Sequence, residues 1–173
     1  MEIVYYIGVL GGASPQEKFL STAFEIGKLL AKNNIVVLCG GLDGVMREAA
    51  RGVKEEGGVC IGILPGNSRK DSNPFLTYSL PTSIGYMRNF LIVRASESVI
   101  AIDGSNGTIS EESFAISEGR DVIGIGSLEL KKTREREGNY YKMSDPKEAV
   151  ERAILSAKEF RKKIRDSDEY FDS

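Results

Sequence analysis

The chain has 173 residues, 41% hydrophobic and 28% charged, with a net charge of −2. That length can close one domain around a real core. The charge excludes a basic surface that holds nucleic acid by counterion release, and no apolar run approaches the roughly 20 residues of a membrane-spanning helix. The N-terminus enters a strand pattern without a charged leader or cleavage site, so a cytoplasmic protein is expected. There is no histidine, which removes Ser-His-Asp and Cys-His nucleophilic schemes and most zinc sites. Cys39 and Cys60 have no metal-ligand spacing and read as small buried hydrophobes. No metal and no resident cofactor is expected.

Ile3 to Leu10 is nearly continuous in hydrophobicity, as a strand covered on both faces should be. Gly11, Gly12, Ala13 and Ser14 form a small-residue turn, and Pro15 opens a helix to about Lys32 with Phe19, Ala23, Ile26 and Leu30 as its apolar stripe. Ile35 to Cys39 is the second strand. Gly40, Gly41, Leu42, Asp43 and Gly44 make a second glycine turn, and a helix runs from Val45 to Glu56. Gly57 and Gly58 end it, and Val59 to Leu64 is the third strand.

Pro65 to Pro74 reads as a loop over the sheet edge, and Phe75 to Leu80 contains a short strand. From Ile84 to Ala95 the spacing of Met87, Leu91, Ile92 and Ala95 predicts a helix, with Arg88, Asn89 and Arg94 on its surface. Ser98 to Glu118 is the stretch on which the chain turns. Val99 to Ile102 is a buried strand, Asp103 to Thr108 a glycine-bearing loop, and a helix follows with Ile109, Phe114 and Ala115 on one side. Such a unit suits an anion: glycines let backbone N–H groups approach it, and the helix N-terminus adds partial positive charge. Asp121 to Gly126 is a further strand, Leu128 to Gly138 a solvated segment, and Tyr140 to Met143 a last edge strand. Asp145, Pro146 and Glu148 start an amphipathic helix through Phe160, and the charged tail from Arg161 is expected to fray.

Strands alternate with helices throughout. The expected fold is α/β: a Rossmann-like, doubly wound, mostly parallel sheet with helices on both faces, forming one domain over residues 1–173. Ligands in such sheets collect beyond the strand carboxyl ends near a switch point. Three glycine turns fall there: Gly11 to Ser14, Gly40 to Gly44, and Gly104 to Thr108. The candidate binding residues are therefore Gly11, Gly12, Ser14, Gly40, Gly41, Gly104, Ser105, Asn106, Gly107 and Thr108.

The segments GGLDGVMREAARGVKEEGGVCIGILPG and YMRNFLIVRASESVIAIDGSNGTISE resemble the LOG-like family of Rossmann-type proteins, once labelled lysine decarboxylases. That family includes cytokinin-activating phosphoribohydrolases and a branch of molybdenum cofactor carrier proteins. Its signatures are an RK or RN pair on a helix and a PGGxGTxxE loop. Here they stand as Arg88–Asn89 and as Asp103 to Glu111. The resemblance implies a phosphate-bearing, nucleotide-like small molecule held by Gly104 to Thr108 with Asn89 nearby. It implies Arg88 and Glu111 as the catalytic pair in hydrolysis of the N-glycosidic bond of a nucleoside 5′-monophosphate. It also implies a homodimer or larger homo-oligomer with the site next to the interface.

The chemistry agrees in outline. Cleaving that bond builds oxocarbenium-like charge, which a carboxylate such as Glu111 can stabilise, and Arg88 can hold Glu111 or phosphate through its planar fork. The bland alternatives are helix-dipole electrostatics for Glu111 and Glu112 and a surface role for Arg88. Three departures stand out: Asp103 replaces the family proline, Ser105 the second glycine, and Asn89 the lysine. They leave two functions open, a phosphoribohydrolase and a non-catalytic carrier or sensor of a nucleotide or molybdenum-cofactor/pterin-type ligand.

Overall fold

The computed structural model describes residues 4–166. Seven strands form one sheet: β1 (Tyr6–Gly11), β2 (Val36–Cys39), β3 (Cys60–Leu64), β4 (Tyr78–Pro81), β5 (Ser98–Ile102), β6 (Asp121–Ile125) and β7 (Tyr140–Met143). Five α-helices cover it: α1 (Glu17–Lys32), α2 (Val45–Glu55), α3 (Arg88–Arg94), α4 (Asn106–Ser117) and α5 (Pro146–Asp166). The order across the sheet is β4-β3-β2-β1-β5-β6-β7, and every pairing is parallel. The fold is the Rossmann-like α/β architecture expected from the strand–helix alternation.

The chain winds outward from β1 through β2, β3 and β4, then crosses back and winds the other way through β5, β6 and β7. The reversal falls between β1 and β5, paired from Ile7–Ser98 to Gly11–Ile102. The loops after these two strands diverge and leave a crevice at their carboxyl ends. β5 and β6 are buried along their whole length, which is why they read as unbroken apolar runs.

Two cores flank the sheet. Phe19, Ile26, Leu30, Val45, Ala49, Val53, Ala153 and Ala157 place α1, α2 and α5 on one face with Ile7, Val9, Ile100 and Ile123. Ile92, Val93, Ala115 and Ile116 place α3 and α4 on the other, against Leu38, Val99 and Val122.

Several expectations need correction. The helix predicted from Ile84 begins as a 3-10 turn, Gly85–Met87, before α3. Its buried face is also shifted: Ile92 is buried and Arg94 exposed as expected, but Arg88 and Val93 are buried too, while Met87, Leu91 and Ala95 are exposed. On α4 the buried residues are Thr108, Glu111, Glu112, Ala115 and Ile116, whereas Ile109 and Phe114 are only half-buried. Phe114 instead meets Phe90 of α3 edge to face, with ring centroids 4.5 Å apart. Helix α5 does not fray at Arg161 but continues to Asp166, because Arg161 pairs with Glu97 and covers the Tyr5 ring. The strand start placed at Ile3 and the tail beyond residue 166 lie outside the described residues.

Candidate functional site

The cleft at the β1–β5 switch point has a volume of about 220 Å³. Val9, Leu10, Leu42 and Met46 give it an apolar floor, and Tyr86 stands at its rim. Around them the fold gathers Gly11, Gly40, Arg88, Asn89, Ser105, Gly107, Thr108 and Glu111. All eight are residues singled out from the sequence, and they come from four separate segments.

Other sequence-predicted residues point elsewhere. Gly41 (φ +74°) packs toward Gly62, Leu64 and Leu76 of the β3 side, and its carbonyl accepts from Asn73 N. Gly104 backs onto the Ser127–Leu128 turn. Gly12 is spent on structure, since its carbonyl accepts the Val45 amide at 3.1 Å and holds the start of α2. Ser14 and Asn106 are exposed and do not line the cleft.

The loop before α4 shows what the departures at Asp103 and Ser105 do. Asp103 adopts φ +59°, a region Asp tolerates better than most residues because its carboxylate can bond locally. Here Oδ1 accepts from the Gly104 amide at 2.9 Å, while the Asp103 amide donates to Ile125 O at 3.0 Å. Ser105 is the N-cap of α4: its Oγ accepts from Thr108 N at 3.3 Å and bonds Thr108 Oγ1 at 2.9 Å. Two loop amides are thereby satisfied internally. The amides of Ser105, Asn106 and Gly107 have no acceptor among the described residues. A Cβ on Gly107 would meet nothing closer than Ser105 Oγ at 3.9 Å, so this stretch of backbone is open to the cleft.

Arg88 reaches the cleft from the first turn of α3. It is only 6% exposed, and its Nε has no hydrogen-bond partner. A Cβ on Gly40 would lie 1.9 Å from Arg88 Nη1. Gly40 therefore leaves the room that the guanidinium occupies here. Burial lowers the Arg88 pKa from its ordinary value, and the nearby Glu111 carboxylate works against that drop.

Glu111 sits one turn into α4 and is 8% exposed. Burial pushes its carboxyl up to about 7; the Arg88 charge opposes the rise and Glu112 adds to it. Among the described residues Arg88 forms no direct ion pair with Glu111. The two share one hollow with space between them, so both can face a bound molecule. Chemically the cleft offers amide donors and a guanidinium for an anion, an apolar floor for a ring, and a carboxyl that titrates near neutrality. Tyr86, Leu42 and Met46 were not identified from the sequence, because lone apolar or aromatic residues beside a turn carry no ligand signature.

Fold and cleft define a class: a Rossmann-like α/β protein whose candidate site lies at the switch point, beside a glycine-bearing loop that opens a helix. Within that class the chain belongs to the SLOG cluster4 family, whose sequence profile matches residues 4–150. It is similar in structure to the molybdenum cofactor binding protein of the phototrophic bacterium Rippkaea orientalis. The TM-score is 0.81 at 29% identity, over 90% of this chain and 98% of that one. It is likewise similar to the molybdenum cofactor carrier protein of Chlamydomonas reinhardtii, with TM-score 0.79 and 28% identity over 89% and 98% of the two chains. In sequence it is 38% identical over 120 residues to an uncharacterized protein of Archaeoglobus fulgidus, covering 69% of this chain and 78% of that one. Among the described residues no helix is long and apolar enough to cross a membrane, and no group of three or more acidic or cysteine side chains is placed to hold a metal ion.

Proposed function

We propose that the chain binds a phosphate-bearing ligand of nucleotide or molybdenum-cofactor/pterin type in this cleft and carries it intact. The observation that carries the proposal is Arg88. A guanidinium this buried, with Nε unpartnered, costs free energy unless something anionic completes its hydrogen bonds. The free amides of Ser105 and Gly107, both cleft-lining residues, stand at the positive end of α4 beside the same hollow. Relatives described as molybdenum cofactor carriers support the carrying role, as does a loop that keeps two of its amides for itself.

The test is mass spectrometry of the purified protein for a co-purified ligand, with thermal melts against nucleoside monophosphates and pterin phosphates. A ligand that binds should raise the melting temperature and be recovered unaltered. No co-purified molecule and no shift with any of them would remove the proposal.

Glu111 favours a second reading, hydrolysis of the N-glycosidic bond. Its carboxyl titrates at about 7, so in its ionised form it can stabilise an oxocarbenium-like transition state or take a proton from water. Arg88 would then hold the ligand's phosphate. Chromatography for free base after incubation with nucleoside monophosphates separates the two functions. If hydrolysis occurs, its rate should rise with pH through about 7 and be lost in Glu111→Gln. We also propose that two copies of the chain associate beside the cleft, as a homodimer or within a larger homo-oligomer.

A further inference from the structure

Tyr86 is 88% exposed, the most exposed of the large hydrophobic side chains among the described residues, and it stands at the rim of the cleft. Among those residues no other ring packs on it and no cation lies over it. Its backbone, by contrast, is pinned. The amide and hydroxyl of Thr82 both donate to Leu64 O, at 3.1 and 2.7 Å. The Ser83 amide donates to Gly66 O at 3.0 Å and the Gly85 amide to Pro65 O at 3.0 Å. The 3-10 turn Gly85–Met87 follows directly, and its Gly85 carbonyl accepts the Arg88 amide. Tyr86 and Arg88 thus leave one anchored turn. Ordering the Tyr86 ring against a ligand fixes only its two side-chain torsions, so little entropy is lost.

Met46 belongs to α2, which packs on one face of the sheet, and Tyr86 directly precedes α3, which packs on the other. The cleft they share therefore has Met46 and Leu42 as an apolar wall on one side and an aromatic ring on the other. Arg88 and the amides of Ser105 and Gly107 are the parts of it set for an anion. At about 220 Å³ the cleft falls below the roughly 300 Å³ at which pockets begin to enclose a ligand of this size. A nucleotide or pterin phosphate held by its phosphate must then extend its ring past the apolar wall to the rim. The aromatic group that it meets there is Tyr86.

We propose that Tyr86 is a specificity-determining residue of the site: its ring stacks on a planar heteroaromatic ring of the ligand and so selects ring-bearing phosphates over ring-free ones. Stacking covers two apolar faces that water otherwise wets, and an offset arrangement of the rings adds to the gain. Arg88 reads charge, and Tyr86, two residues earlier on the same turn, reads flatness. The phenol hydroxyl has no part in this; the ring alone carries it. The assignment deepens the function proposed above and rests on it, since it names the part of the ligand that the anion loop does not touch.

The test compares AMP and a pterin phosphate with ribose 5-phosphate, which keeps the phosphate and lacks the ring. Isothermal titration is run on the wild type, Tyr86→Ala and Tyr86→Phe; Tyr86 is exposed, so neither variant disturbs the core. Tyr86→Ala should weaken the ring-bearing phosphates about tenfold or more and leave ribose 5-phosphate unchanged. Tyr86→Phe, which keeps the ring, should bind as the wild type does. Magnetic resonance of protein labelled in its tyrosine rings gives a readout that does not depend on affinity. The Tyr86 signal, identified by its loss in Tyr86→Phe, should move upfield at saturating AMP or pterin phosphate and stay in place with ribose 5-phosphate. A signal that does not move at saturation overturns the assignment. So does equal weakening of ring-bearing and ring-free ligands in Tyr86→Ala, which would make the ring a subunit contact or a brace for the turn. A loss in Tyr86→Phe as large as in Tyr86→Ala overturns it too. If neither ring-bearing phosphate binds the wild type, the proposed function falls and this assignment with it. If they bind and the Tyr86 variants do not discriminate, this assignment alone falls.

Discussion

Glu111 and Glu112 are adjacent in sequence, yet α4 turns one into the cleft and the other beneath the helix, because successive helical residues are rotated by about 100°. Burial raises both carboxyls to about 7. A carboxyl with a raised folded-state pKa binds its proton more tightly in the native state. Stability therefore falls as pH rises from the unfolded value of 4.5 toward 7 and stays reduced above it. The protein should resist urea better at pH 5.5 than at pH 8, by on the order of 2–3 kcal/mol. Glu112→Gln should remove a large part of that difference and gain stability at pH 8. Equal unfolding midpoints at the two pH values would show that neither carboxyl is held neutral.

Two glycines of the cleft make opposite demands. Gly107 is helical with open space where a Cβ would stand, so Gly107→Ala should stabilise α4 by up to about 1 kcal/mol. Its methyl group would obstruct an anion approaching the backbone, so the melting shift given by ligand should shrink. A variant that melts higher yet binds normally would separate the loop from the ligand. Gly40→Ala should displace the Arg88 guanidinium, the flexible far end of a side chain, and so cost little stability but weaken binding at least tenfold. Isothermal titration of the ligand recovered from the protein would measure this.

At the scale of elements, α1 and α2 touch through reciprocal glycines. A Cβ on Gly27 would lie 2.1 Å from Ala49 O, and one on Gly52 would lie 2.1 Å from Phe24 O. Backbone meets backbone, so no rotamer change can relieve an added methyl. Gly52→Ala should destabilise by about 2–3 kcal/mol in chemical denaturation, against the usual helical benefit of alanine. Nothing in the sequence marked these two glycines, since each sits in an ordinary amphipathic pattern. The strands were legible because a parallel strand covered on both faces must be apolar throughout, and the glycine turns were legible because they close each strand at one rim. The faces of α3 and α4 were not. Hydrophobic spacing assumes that buried means apolar, and these short helices bury Arg88, Glu111 and Glu112 instead. Arg88 and Glu111, which broke the pattern, are also the charged residues that line the candidate site. The family motif located Arg88 and Glu111 where periodicity could not.

For the molecule as a whole, the two faces of the sheet are covered unequally. Beyond β1, α1 and α2 pack over one face of β2 and β3, while the other has only the seven residues of α3. Tyr78 and Leu80 of edge strand β4 lie opposite Ile61 and Ile63, and so share the α3 side of the sheet. They are 60% and 49% exposed, and Met87 and Leu91 on α3 are 60% and 42% exposed. Exposed apolar residues grouped in this way are a mark of association. The exposed apolar residues of α3 fit the association proposed above: Ile92 and Val93 face the sheet, and Met87 and Leu91 would face a second copy of the chain. Tyr86, 88% exposed, belongs to both this surface and the cleft, so a partner seated here would border the bound ligand. Light scattering behind size exclusion should find at least a dimer for the wild-type protein and a monomer for Met87→Asp combined with Leu91→Asp, with circular dichroism unchanged. Ligand binding should weaken in that monomer although no residue beneath the cleft has been altered. A wild-type monomer, or a double variant that still associates, would assign this surface to some other partner.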